Sequence, residues 1–169
     1  MKLTKSKIVS IAAAVLGVVA IFMLLLAGLG AKDAPKGTEF PSMFNLMFGS
    51  GKVFEIASPL GTVKYGAFNF VLFVAFLFLL VGIALMIVSL FKDIKALKIA
   101  AIALFIVAGI IFFLTLNFAH LSWKSGVYRD AAKENLKKVY QLGIGAIMAG
   151  IMSLLAGVAA CVGTFVIKD

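Results

Sequence analysis

The residues that could do chemistry are few, and their spacing decides what kind. There is one histidine, His120, and one cysteine, Cys161, and the seven acidic residues are scattered singly along the chain. A nucleophile needs a base and a group that orients it, and a metal site needs three or four clustered donors, so local spacing assembles no triad, metal set or acid–base pair. GSGK, Gly49 to Lys52, has the composition of a phosphate-cradling loop. Leu46 stands where the first glycine of that motif belongs, however, and Val53 follows the lysine in place of Ser or Thr. It reads as a flexible turn. Asn117 and His120 are three apart and share a helix face, so they could hydrogen-bond across a bundle. The plainer reading places them at a membrane boundary with Trp123. This inventory points away from an enzyme, and no cofactor or metal is expected.

The elements that must position these residues are membrane helices. Hydrophobic residues make up 63% of the chain and charged ones 14%, against roughly 45 to 50% and 25% in soluble domains. Four runs, 8–29, 67–91, 99–118 and 142–167, contain no Asp, Glu, Lys or Arg, and each reaches the roughly 20 apolar residues that span a hydrocarbon core. They lack the alternation of barrel strands, and backbone polar groups in lipid must be satisfied internally. The fold class expected is therefore an all-α membrane protein, a single four-transmembrane-helix bundle. A basic head before an apolar run too long for an ordinary leader makes the first helix an uncleaved signal anchor.

The net charge is +9, and fifteen of the sixteen basic residues are lysine. They sit beside helix ends, where membrane lipids are better partners than nucleic acid. With both termini inside, MKLTKSK, the link 92–98 and the final KD carry seven basic residues, and the outer loops 30–66 and 119–141 carry nine. The raw count does not orient the chain. Density does: Lys2, Lys5 and Lys7 crowd an acid-free head, and Lys92, Lys95 and Lys98 crowd a short link, which predicts a multi-pass cell-membrane protein with cytoplasmic termini.

In the fourth helix Gly143, Ala146, Gly150, Ser153, Gly157, Ala160 and Thr164 recur at alternating steps of three and four. Small residues at that spacing let backbones approach in lipid, so this is a helix-packing seam, for the chain's own bundle or for a second subunit. Ala13, Gly17, Ala20 and Ala27 form a partial seam on the first helix, and Ala75, Gly82 and Ser89 another on the second. Phe68, Phe70, Phe73, Phe76 and Phe78 load the second helix with rings suited to lipid or another subunit.

The first outer loop holds a second apolar pattern. Phe40, Met43, Phe44, Met47 and Phe48 fall at i, i+3, i+4, i+7 and i+8, the stripe of a short amphipathic helix with Pro41 at its start and Gly49 at its end. Its greasy side must rest on lipid, on the bundle top or on a partner. KVFEIA-SPLG-TVKYG then suggests a small β-hairpin, and RDAAKENLKKVYQ in the second outer loop reads as a helix extending the fourth span.

Four helices, a larger first outer loop and a smaller second one resemble the layout of claudins and tetraspanins. The resemblance is of topology: the GLW triplet and paired cysteines of claudins and the CCG motif of tetraspanins are missing, so no functional residue carries over. The function expected is that of a structural or accessory membrane subunit, assembling with itself or with a larger complex. The alternative is an oligomeric channel or carrier for a small or apolar solute.

Overall fold

A computed structural model describes residues 4–31, 40–49, 63–64, 68–92, 94–118, 122–123 and 140–167. Uninterrupted runs of Leu, Ile, Val, Phe and Ala give four helices long and apolar enough to cross a membrane. They are α1 (Lys5–Met23), α3 (Phe70–Phe91), α4 (Lys95–Phe113) and α6 (Ile144–Cys161), the last continuing into a π-helical turn, Val162–Val166. Between them lie a short helix α2 (Met43–Phe48), a single turn α5 (Thr115–Phe118), and four short strands: β1 (Leu29–Ala31), β2 (Val63–Lys64), β3 (Ser122–Trp123) and β4 (Tyr140–Leu142). α1 packs against α3 and α6, and α4 packs against the same two, so the helices close a ring in chain order.

Phe105 of α4 stands at the centre of that ring, fully buried. A Cβ added to Gly17 of α1 or to Gly82 of α3 would stand 3.0 Å from its ring. From α6, the Ser153 hydroxyl donates to the Phe105 carbonyl oxygen at 2.7 Å. Two missing side chains thus make room for one large ring, and dispersion contact replaces the hydrophobic drive that lipid does not supply between helices. Fully buried Leu72, Leu79, Met86 and Phe112 extend the core along the bundle.

The helix limits depart from the apolar runs, most clearly in the first. α1 stops at Met23, although LLLAGLGA continues as apolar as before. The N–H groups of Leu24, Leu25 and Leu26 bond to carbonyls three residues back, and the chain then extends. Residues 24–31 become the middle of a three-strand arrangement. On one edge Phe44 N–H donates to Leu24 O at 3.2 Å, Met43 N–H to Leu26 O at 3.1 Å, and Gly28 N–H to Pro41 O at 2.8 Å. On the other, Gly145 N–H donates to Ala27 O at 2.7 Å and Gly143 N–H to Gly28 O at 3.0 Å, and β1 pairs antiparallel with β4, Leu29 opposite Leu142. Extended backbone beside lipid is tolerable only where protein satisfies its polar groups, and here both edges carry backbone hydrogen bonds.

The third span is likewise two helices, α4 and α5, separated at Leu114. The fourth starts at Ile144 because β4 precedes it, so 129–141 does not extend it continuously; residues 124–139 lie outside the described residues. Of the expected hairpin in the first outer loop, only Val63 and Lys64 are described. They pair with Trp123 and Ser122 of the second outer loop, which links the two loops, and the rest of the expected hairpin lies outside the described residues.

Candidate functional site

The features that could serve function collect where α1 and α4 end and α3 and α6 begin. Ser42 opens α2 with its hydroxyl accepting from the Asn45 N–H at 3.1 Å, and Gly49 closes it in the left-handed region at φ 64°, which glycine adopts without a Cβ penalty. The stripe read from the sequence is divided by the structure. Met43 and Met47 are fully buried, Phe40 and Phe44 are half-buried, and Phe48 is 43% exposed. Leu46, outside the stripe, is also buried. α2 therefore rests on the chain's own bundle top. Met43 lies above Gly28, where an added Cβ would come within 2.6 Å of its sulfur, and the Thr115 hydroxyl lies 4.0 Å from that sulfur.

The other side of α2 joins an aromatic cluster. Phe44 meets Phe76 edge-on at 5.5 Å between ring centroids, Phe48 meets Phe73 at 5.8 Å, and Phe68 meets Phe73 at 5.1 Å. Phe44 and Phe48 stack on each other at 6.1 Å. Such pairs add about 0.5–1.5 kcal/mol each beyond area burial in water. The cluster has an open margin, with Phe68 51% and Phe70 68% exposed. Of the phenylalanines read as a lipid- or subunit-facing stripe, Phe73 and Phe76 are half-buried within the chain, and Phe68 and Phe70 face outward.

Asn69 ties this region together. Its Oδ1 accepts from the Leu72 N–H at 3.2 Å and caps α3, its amide nitrogen donates to the Phe118 carbonyl, and its own N–H donates to Met47 O at 2.8 Å. A 3% exposed residue thus ties α3 to α5 through its side chain and to α2 through its backbone. Its position near the start of the uncharged run 67–91 was the signal for an N-cap. Of the pair read from spacing, Asn117 is exposed on α5, and His120 lies outside the described residues.

The seam is used inside the chain. Gly143, Ala146, Gly150, Ser153, Gly157 and Ala160 are buried, and Thr164 is half-buried in the π-helical turn with its hydroxyl on Ala160 O at 2.7 Å. Gly143 is extended, not helical, with φ −74° and ψ 159°. Gly150 and Gly157 face α4, where added Cβ atoms would stand 2.8 Å from Phe113 Cε2 and 3.0 Å from Ile106. Gly163 faces α1, close to Val9.

Among the described residues no three His, Cys, Asp or Glu come together as a metal-binding group. No protein-family model matches the chain, and comparison with curated proteins and with solved structures returned no match.

Proposed function

We propose that this chain is a non-enzymatic structural or accessory subunit of the cell membrane, with both termini cytoplasmic, that assembles with itself or with other membrane chains through the aromatic margin of α2 and α3. The observation that carries the reading is the way the bundle consumes its own packing surfaces. The small-residue seam meets α1 and α4 of the same chain, and Phe105 fills the ring's centre. Among the described residues, what remains outward is mainly aliphatic surface suited to lipid, single rings at Phe22, Phe91, Phe113 and Phe165, and the clustered margin formed by Phe48, Phe68 and Phe70. Aromatic rings there offer large contact area with few rotatable bonds. A channel or carrier, the rival function, would have to run between subunits, because the centre of each ring holds a phenylalanine.

Phe48→Ser with Phe68→Ser tests the proposal in protein purified in mild detergent. Both side chains are about half exposed, so the monomer keeps its fold while copurifying chains or the second copy are lost. Retention of every partner by this variant overturns the assignment of the margin.

A further inference from the structure

The opposite end of the bundle, where α1 and α4 begin and α3 and α6 finish, has a different chemistry. The Ser6 hydroxyl donates to the Gly163 carbonyl at 2.9 Å, which sets the start of α1 against the end of the fourth span. Lys95 Nζ lies 5.1 Å from the centre of the Phe165 ring, which sets the start of α4 against the same turn. Lys5, Lys7, Lys92, Lys95 and Lys98 therefore share one end; Asp93, which lies between Lys92 and Lys95 in the sequence, is outside the described residues.

Apolar surface lies directly beside these cations. Phe91 is 76% exposed, Val166 69% and Phe165 50%, and Ile99, one turn along α4 from Lys95, is also exposed. α4 opens with no side-chain cap at Ile94 and no acid in its first turn, so the positive end of the helix dipole adds to the lysines and is not offset by them. A cationic rim bordering exposed hydrocarbon fits a molecule that is anionic at one end and hydrocarbon at the other. A soluble acidic peptide would leave the Phe165 side of the site unused, and a free anion would leave all of the apolar surface unused.

We propose that this end is a binding surface for an anionic phospholipid, with the headgroup phosphate held between Lys92 and Lys95 and an acyl chain lying along α4 and the last turn, against Ile99 and Phe165. The inference is independent of how the chain assembles. Lys95 has a particular part in it: its stem and charge lie along an aromatic ring, so the ammonium is held at the boundary between polar and apolar surface.

The test is thermal unfolding of the full chain in non-ionic detergent, titrated with dioleoyl phosphatidylglycerol, with dioleoyl phosphatidylcholine or with inorganic phosphate. Phosphatidylglycerol raises the melting temperature with saturation, and the other two do not. Each lysine near an anionic surface is worth about fivefold in affinity, so Lys92→Gln with Lys95→Gln raises the half-saturating phosphatidylglycerol concentration about thirtyfold. Lys92→Arg with Lys95→Arg keeps the wild-type response, and so does Lys64→Gln at the other end. Equal stabilisation by phosphatidylcholine would mean a hydrocarbon surface without headgroup recognition, and equal stabilisation by phosphate would mean a free-anion site; either overturns the proposal. So does an unchanged phosphatidylglycerol response in the glutamine pair, or a loss in the arginine pair as large as that in the glutamine pair.

Discussion

Phe105 Cε1 approaches Gly82 so closely that a Cβ on the glycine would stand 3.0 Å away. The ring and the glycine are complementary halves of one contact, and their substitutions must be coupled. Gly82→Ala forces the ring to shift, at about 1–3 kcal/mol. Phe105→Ala removes the ring from the centre of four helices and leaves a cavity, at about 3–5 kcal/mol. In a Phe105→Leu background the cost of Gly82→Ala falls, since the atom it collides with is gone. A double-mutant cycle on melting temperature in mild detergent checks this, and strict additivity contradicts the contact.

Gly143 and Gly30 separate close backbone approach from ordinary glycine placement. A Cβ on Gly143 would lie 2.6 Å from the Leu29 nitrogen, with backbone on that side, while a Cβ on Gly30 would lie 3.5 Å from the Gln141 side chain. Gly143→Ala therefore destabilises by about 2 kcal/mol or more and Gly30→Ala by less than about 1. Equal melting temperatures for the two variants would mean that the chain does not pair residues 24–31 with 140–145.

The α2 cap predicts protected amides. The N–H groups of Met43, Phe44 and Leu46 bond to Leu26, Leu24 and Ser42 carbonyls, so hydrogen exchange across 43–48 is slow. Ser42→Ala removes the hydroxyl that accepts from Asn45 and costs about 1 kcal/mol, read as faster exchange confined to this segment. Fast exchange of the whole segment in the unsubstituted protein contradicts a docked helix.

Orientation is tested by single cysteines at Gln141 and Lys95 in a Cys161→Ala background. Both residues are exposed, at opposite ends of the bundle. With cytoplasmic termini, an impermeant reagent added to intact cells labels the Gln141 site and spares the Lys95 site. The reverse pattern inverts the topology.

The seam was legible in the sequence because small residues recur at heptad steps, although spacing left open whether it packs within the chain or against a second subunit, and the α2 stripe was legible because Pro41 and Gly49 bounded it. The extended segment 24–31 was not, because an apolar run carries no mark where helix gives way to strand. The available signal was glycine at a step of two, Gly28 with Gly30. A step of two suits alternating strand faces, and the Gly28 carbonyl does accept from the Gly143 N–H. Phe105 was hidden for another reason. Only the meeting of four helices distinguishes it from the other rings of the chain, and the residues that make its space, Gly17 and Gly82, lie on helices distant in sequence.

The proposal that this chain works as a subunit is tested most directly by its mass after purification in mild detergent, corrected for bound detergent and lipid, with identification of every chain that accompanies it. The account predicts an assembly larger than the 17.9 kDa monomer, made of further copies or of other membrane chains and dispersed by Phe48→Ser with Phe68→Ser. A stable monomer with no accompanying chain, recovered both from detergent and from nanodiscs of native lipid, would contradict it.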